Sequence, residues 1–311
     1  MTDSNHKIIL VTQRTRLEDL IRRYNTYGQA EFIISHNGGD FSDYRLEYET
    51  YQDAVQTALS ALQAFGRVQV LDRELVPNYL FGKQDIVVVL GRDGLVANVL
   101  KYLLDGQPLI GVNPDPKRWD GHLLPFFPED LSKILPEVIR GSRNTQSITL
   151  AQAILNDGQV LRAVNDLFIG RQTHASARYE ISQGATKEKQ SSSGVIVSTG
   201  LGATGWLKSI LAGAAGIARF CGISEPVRPA HSIDRSASEL YYTVREPYPS
   251  ATTGTDMVFG KITAKTPLQI ASNMPENGVI FSDGMEQDFL HFNSGTVVTI
   301  GIADQKGYLV V

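Results

Sequence analysis

The stretch from residue 85 to residue 100, DIVVVLGRDGLVANVL, limits the fold more than any other part of the chain. Ile86 to Leu90 is a continuous apolar, β-branched run rather than an alternating one. A strand of that kind is covered on both faces, as in a parallel sheet flanked by helices. Gly91-Arg92-Asp93-Gly94 follows, and then an apolar pattern of helical period. A tight turn needs only glycine. An arginine and an aspartate between two glycines put charge at the carboxyl end of a buried strand, where open α/β sheets bind ligands. Glycines let the backbone approach a phosphate, and the N–H groups of a helix start favour an anion. Asp93 there can take a proton from an attacking hydroxyl, or hold a hydroxyl or Mg2+. Arg92 can face a phosphate with two N–H groups at once. A plain turn with Asp93 as helix cap fits the four residues equally well.

Around this stretch the first half of the chain alternates. KIILVT, from Lys7, predicts a strand, and RLEDLIRRY a helix with Leu17, Leu20, Ile21 and Tyr24 on one stripe. Residues 51–65 have apolar positions at helical spacing, RVQVLD and PLIGVN read as strands, and LVANVLKYLLDG as a helix ended by glycine. EDLSKILPEVIRG is a further helix, in which Pro136 is expected to cause a kink or break. Strand–helix alternation predicts a Rossmann-like α/β domain with a parallel sheet over residues 1–145. From there the texture changes. SITLAQAIL, LRAVNDLFIG, ARYEISQ, SGVIVSTG, ELYYTVREP, KITAKTPLQIAS, GVIFSDG and GTVVTIGIA are strand-like runs divided by Gly, Ser, Asn and Asp. They predict a β-rich domain over 146–311, interrupted by one helix, GWLKSILAGAAGIARF, whose small residues suggest tight packing in a core. The polar segment GSRNTQS, 141–147, marks the boundary.

Composition excludes several classes. With a net charge of −4 and a pI near 5.9, the chain lacks the global positive field on which many nucleic-acid binders rely. Cys221 is the single cysteine, so there is neither an intramolecular disulfide nor a CxxC metal site. His6, His36, His122, His174, His231 and His291 are scattered without HxH or HxxxH spacing, and no zinc site is expected. No apolar run approaches the ~18 residues of a membrane span, and strand-like sequence begins too early for a signal peptide. A soluble, cytoplasmic protein is the expectation.

Three further stretches carry chemistry. IGVNPDPKRWDGHLLPF follows the next strand; its prolines and glycine fix a shaped loop offering Asn113, Asp115 and Asp120 at the same sheet edge. In AVNDLFIG, Asn165 and Asp166 interrupt an apolar run and need partners. An amide reads donor and acceptor edges of a base, and a carboxylate holds ribose hydroxyls; a bulge or turn is the alternative. Last, the strand Val195–Ser198 runs into Thr199-Gly200-Leu201-Gly202-Ala203-Thr204-Gly205 and a helix that begins at Trp206. It is no P-loop, since the GK[ST] ending is missing. Gly200, Gly202 and Gly205 have GxGxxG spacing but no βαβ unit around them. What remains is a helix start with hydroxyls from Thr199 and Thr204. Arg245-Glu246 reads as a surface ion pair or a contact with a substrate or subunit, and Asp283 in FSDGM as a hairpin turn residue.

Together these stretches resemble the NAD kinase family, closest to its mitochondrial-type branch and bacterial relatives. IGVNPDPKRWDGHL, FIGRQTHASARYEIS, KQSSSGVIVSTGLGATGW, YYTVREP and GVIFSDGMEQDF carry the likeness from about residue 85 onward. The resemblance implies an α/β domain followed by a β-rich domain, with the active site between them. It implies an enzyme, a kinase that moves phosphate from ATP to the 2′-hydroxyl of the adenosine ribose of NAD, with Mg2+ and ATP required. It also implies a homo-oligomer, at least a dimer. Carried over, Gly91, Asp93 and Gly94 match the GGDG loop, with Asp93 as catalytic base. Asn113 lies in the GVN loop. Asn165 and Asp166 match the pair that holds the adenosine portion, and Thr199, Gly200, Gly202, Thr204, Gly205 and Trp206 match the glycine- and threonine-rich turn. The chain also departs from the pattern. Arg92 replaces the second glycine of GGDG, where a left-handed backbone would cost a non-glycine residue about 1 kcal/mol. Leu95, Leu201 and Ala203 stand where the family has hydroxyl residues, and Gly205 replaces alanine. These changes keep two alternatives open: a kinase of another sugar or nucleoside hydroxyl, and a non-catalytic NAD(P)-binding regulator.

Overall fold

The computed structural model describes residues 6–104, 106–223 and 233–311. The chain divides into two compact units, the first comprising residues 1–146 and Tyr308–Val311, the second Ser147–Gly307.

The first unit contains β1 (Lys7–Thr12), α1 (Arg16–Tyr24), α2 (Tyr27–His36), α3 (Phe41–Gln63), β2 (Arg67–Asp72), β3 (Ile86–Leu90), α4 (Asp93–Leu100), β4 (Pro108–Val112) and α5 (Leu131–Ile139). Its sheet is parallel throughout, in the order β2-β1-β3-β4, with Tyr308 and Leu309 pairing alongside β4. Every residue of β3 is buried, as its unbroken apolar run requires. Because β2 and β3 flank β1 on opposite sides, the strand order reverses at β1/β3, a switch point whose carboxyl edge opens a crevice. α3 buries Phe41, Glu47, Tyr51, Ala54, Ala58 and Leu62 along one stripe, and packs with Leu131, Ile134 and Leu135 of α5 in a core beneath the sheet.

Some predicted elements change their limits. The helix expected over 51–65 begins ten residues earlier, at Phe41, capped by Asp40, whose carboxylate accepts from the Ser42 N–H at 2.9 Å. The helix expected over 95–106 covers only Asp93–Leu100, and Asp105 lies outside the described residues. α5 passes through Pro136 and ends at Ile139. α2, with Thr26 capping Gln29 N–H, was not foreseen.

The second unit holds β5 (Thr145–Leu155), β6 (Val160–Ala163), β7 (Asp166–Arg171), β8 (Ala177–Gln183), β9 (Thr186–Ser192), β10 (Val195–Ser198), α6 (Trp206–Phe220), β11 (Leu240–Val244), β12 (Phe259–Ile262), β13 (Leu268–Ser272), β14 (Gly278–Ser282), β15 (Met285–His291) and β16 (Val297–Val310), the last crossing into the first unit. One antiparallel sheet runs β12-β11-β10-β7-β14-β15. A second is built on β16, β13, β8 and β9, with β5 on β16 and β6 on β5. Residues of both sheets, among them Tyr179, Val197, Tyr242, Ile270, Ile280 and Ile300, share one buried core. LRAVNDLFIG is not one strand: the chain turns between β6 and β7 at Val164-Asn165. KITAKTPLQIAS likewise divides into β12 and β13. α6 corrects the expectation of a core helix. Only Leu207 is fully buried, while Ile217 and Phe220 are 69% and 93% exposed.

Candidate functional site

The first group of site residues lies at the switch point of the parallel sheet. Tyr51 fixes the ends of β1 and β3: its hydroxyl donates to the Leu90 carbonyl at 2.9 Å and accepts from the Gln13 N–H at 3.0 Å. Burial pushes its phenol above the ordinary range, so the hydroxyl stays protonated. Gly91 follows at once. A side chain there would press on Leu95 and Gln13, which explains the glycine by close packing rather than by backbone freedom. Arg92 is extended, with φ −106° and ψ 164°, and is the residue before α4. The strain expected from replacing a family glycine is therefore absent. Gly94 has open space where a side chain would stand.

Asp93 begins α4 and reaches the loop that follows β4. Its carboxylate accepts from the Leu123 N–H at 2.7 Å and the His122 N–H at 3.2 Å. A carboxylate has about four lone-pair sites, so acceptor capacity remains after these two bonds. Asn113 is buried and serves that same loop. Its amide donates to the Trp119 carbonyl at 3.0 Å, and its oxygen accepts from the Asp115 N–H at 3.0 Å. The GVN asparagine is thus committed to shaping the loop that orients Asp93. Gly111 meets this loop so closely that a Cβ would overlap the Leu123 carbonyl.

Four residues around Asp93 were not read as site residues from the sequence. Glu47, 2% exposed, accepts from Arg16 and, at 3.3 Å, from Arg92. Arg118 and Arg16 both bind Asp43, at 2.6 and 2.7 Å, and hold that carboxyl below the usual carboxylate range. The signal for Glu47 was present: it stands on the apolar stripe of α3 four residues before Tyr51, and a charge on such a stripe needs a partner.

The second group lies within the other unit, at the corner between β6 and β7. Asp283 and Gly284 form the two-residue turn of the β14–β15 hairpin, both with positive φ, 52° and 68°. The Asp283 carboxylate accepts from three successive N–H groups, of Val164 (3.0 Å), Asn165 (2.6 Å) and Asp166 (3.2 Å). The expected turn residue thus also fixes the backbone of the Asn-Asp pair. Asp166 keeps one oxygen buried without a hydrogen-bond partner. Burial, aided by the nearby Asp283 charge, pushes its carboxyl up to about 7.

The glycine-rich turn packs on this corner. Thr199 N–H donates to the Asn165 carbonyl at 2.9 Å, and its hydroxyl to the Val164 carbonyl at 2.5 Å. At Gly202 a Cβ would overlap the Asn165 carbonyl and crowd the free Asp166 oxygen; at Gly200 it would overlap the Asp234 carbonyl. The Thr204 hydroxyl turns back to the Leu201 carbonyl at 3.1 Å, and Gly205 N–H bonds to the Gly202 carbonyl at 2.9 Å. Trp206 stacks on Phe168, with centroids 6.0 Å apart, under the Arg245 guanidinium. Asn165, Asp166, Thr199, Gly200 and Gly202 are therefore one assembly, with Thr204, Gly205 and Trp206 opening its helix. Among the described residues no three His, Cys, Asp or Glu are grouped to hold a metal ion; His231 lies outside them.

No family model matches the chain. It is 25% identical to NAD kinase 2, mitochondrial, of Xenopus tropicalis, over 66% of this chain and 63% of that protein. It is 26% identical to the Homo sapiens protein of the same name, over 64% of this chain and 57% of the relative. The chain thus matches about six-tenths of the length of these relatives. The fold is similar to that of yeast NADH kinase, solved with NADH, with a TM-score of 0.58 and 14% identity, covering 99% of this chain and 84% of that one. An NAD kinase from Archaeoglobus fulgidus, solved with ATP, matches at TM-score 0.56 and 15% identity, over 98% and 93%. The chain is thus similar in sequence to proteins named NAD kinase and NADH kinase, and its fold is similar to that of solved kinases of these names over nearly the whole chain.

Proposed function

We infer that the protein is a kinase that transfers the terminal phosphate of ATP to the 2′-hydroxyl of the adenosine ribose of NAD. The observation that carries this reading is Asp93, a carboxylate at the switch point of a parallel sheet, oriented by two backbone N–H groups. The acceptor oxygen attacks the terminal phosphorus. The bond from that phosphorus to the bridging oxygen breaks, ADP leaves with the electron pair, and Asp93 takes the hydroxyl proton. Asn165 and Asp166, with the turn from Thr199 to Trp206, supply the groups for the nucleotide: the unpartnered Asp166 oxygen suits a ribose hydroxyl. The likeness to relatives named as NAD and NADH kinases supports the same reading.

Mg2+ fits this arrangement as an ion brought largely on donor phosphates and water, with Asp93 the carboxylate on offer. When bound, it would neutralise charge on the phosphates. The reading includes a cytoplasmic homodimer; sedimentation of the purified protein measures its assembly state. Leu201 and Ala203, in place of hydroxyl residues, favour a second reading in which the acceptor is another sugar or nucleoside hydroxyl.

The test is to incubate protein with NAD, ATP and Mg2+ and to follow NADP. Asp93→Asn keeps an acceptor oxygen for one of the two loop N–H groups and removes the base. It is expected to lower kcat by about 10²–10⁴-fold while NAD still binds. Full turnover in Asp93→Asn would remove the assigned base, and consumption of ATP with another acceptor alone would establish the second reading.

A further inference from the structure

We propose that Arg92 is a donor-binding residue that exchanges Glu47 for the terminal phosphate of the nucleoside triphosphate. This rests on the kinase reading above and names the group that recognises its donor. Several arginines follow strands of the parallel sheet; three of them, Arg16 after β1, Arg92 after β3 and Arg118 after β4, are linked through Glu47 and Asp43, whereas Arg14 is paired with Glu74. Arg118 is committed to Asp43, through Nη2 at 2.6 Å and Nη1 at 3.2 Å, with Asp115 3.5 Å from its Nε. Arg16 is committed to Asp43 and Glu47. Arg92 differs. It gives one hydrogen bond, from Nη2 to Glu47 at 3.3 Å, and its side chain is 44% exposed.

That contact is the longest hydrogen bond in the network, and it is the single one Arg92 would have to give up. Glu47 is almost fully buried and would be costly to strip of partners, but it keeps Arg16 when Arg92 leaves. The freed guanidinium is not left to wander, because its Cζ lies over the Trp119 ring, 4.9 Å from the centroid. A guanidinium held over an aromatic ring with most of its five donors unspent matches two phosphate oxygens better than one carboxylate oxygen at 3.3 Å. Its position decides which phosphate. Arg92 lies over Trp119, in the loop whose His122 and Leu123 N–H groups hold Asp93, so the phosphate assigned to it is the one beside the base, and Gly94 leaves the adjoining space open. Arginine is therefore not a damaged glycine: its extended backbone carries no strain, and its side chain offers a charged contact where a glycine offers none.

The experiment measures ATP binding by calorimetry, and initial rates with ATP or NAD varied, for the wild type, Arg92→Gly and Arg92→Lys. The expected result is a rise of 10-fold or more in both Kd and KM for ATP in Arg92→Gly. The KM for NAD stays within twofold, and Arg92→Lys falls between, because it keeps the charge and loses the paired donors. If Arg92→Gly does not fold, Arg92→Gln replaces it. ATP affinity within twofold of wild type, or an equal loss for ATP and NAD, overturns the proposal. The two readings separate cleanly. ATP binding that depends on Arg92 with no NADP formed refutes the acceptor and keeps Arg92. NADP formation indifferent to Arg92 keeps the kinase and refutes Arg92.

Discussion

Asp166 and Asp283 show how one residue's titration can depend on another's placement. Asp283 spends its charge on three backbone N–H groups, whereas Asp166 has a buried oxygen with no donor. The folded carboxyl of Asp166 titrates at about 7, raised by burial and then by Asp283, and an unfolded aspartate near ~3.9. Between those values the folded state holds a proton that the unfolded state has lost. Stability from this group is therefore complete below pH ~4 and falls as pH rises towards 7, by at most about 1.4 kcal/mol per unit. Asp166→Asn should remove that slope, matching the wild type near pH 4 and exceeding it at pH 8 in denaturant titrations. An unchanged slope would show that Asp166 ionises freely. Residues of this kind were legible only in part. Asn165-Asp166 stood out as polar residues in an apolar run, and Asp283 as a turn former. Their joining depends on hydrogen bonds spanning more than a hundred positions, which no local pattern encodes.

At the scale of elements, legibility followed periodicity. β3 and α1 were readable because their apolar patterns match what each buries. β9, TKEKQSS, was missed because its composition is polar; it is a strand through its seven-residue register with β8. α3 was read short because its first half carries charges, one of them Glu47, and its cap lies at Asp40. α6 was read as core from its small residues, yet it meets the protein mainly through Leu207 and the neighbourhood of Phe168 and Ile196. The junction leading into it makes a sharp prediction. Gly200 lies against the Asp234 carbonyl with no room for a methyl group. Gly200→Ala should therefore destabilise the protein by about 1–3 kcal/mol and weaken nucleotide binding by displacing the turn from Asn165. Thermal denaturation and NAD titration measure the two effects, and a variant as stable as wild type would show that the junction yields easily.

For the whole molecule, chain order and spatial order disagree. The parallel sheet of the first unit takes its fifth strand from Tyr308–Val310, although the preceding 161 residues, Ser147–Gly307, belong to the other unit. Leu309 and Val310 are buried at 2% and 0% exposure, the Val311 N–H bonds to the Asn144 carbonyl, and the Val311 carbonyl accepts from Arg143. Deleting residues 308–311 should lower the stability of the first unit by several kcal/mol, since two large apolar side chains at about 1.5–3 kcal/mol each and a row of ladder bonds are lost. Differential scanning calorimetry of the truncated protein would show an earlier transition, and an unaltered thermogram would contradict this account. The sequence disclosed the strand but not its destination, because GTVVTIGIA reads the same whether its continuation closes one sheet or another. The arrangement also sets a schedule for synthesis. A ribosome must carry the β-rich unit to completion before the last strand of the earlier sheet emerges, so the scaffold beneath Asp93 closes only after translation has passed residue 307. A messenger cut short, or a stalled nascent chain, would yield the loop without its finished support, and the cell would meet that product as a substrate for proteolysis rather than as a folded unit.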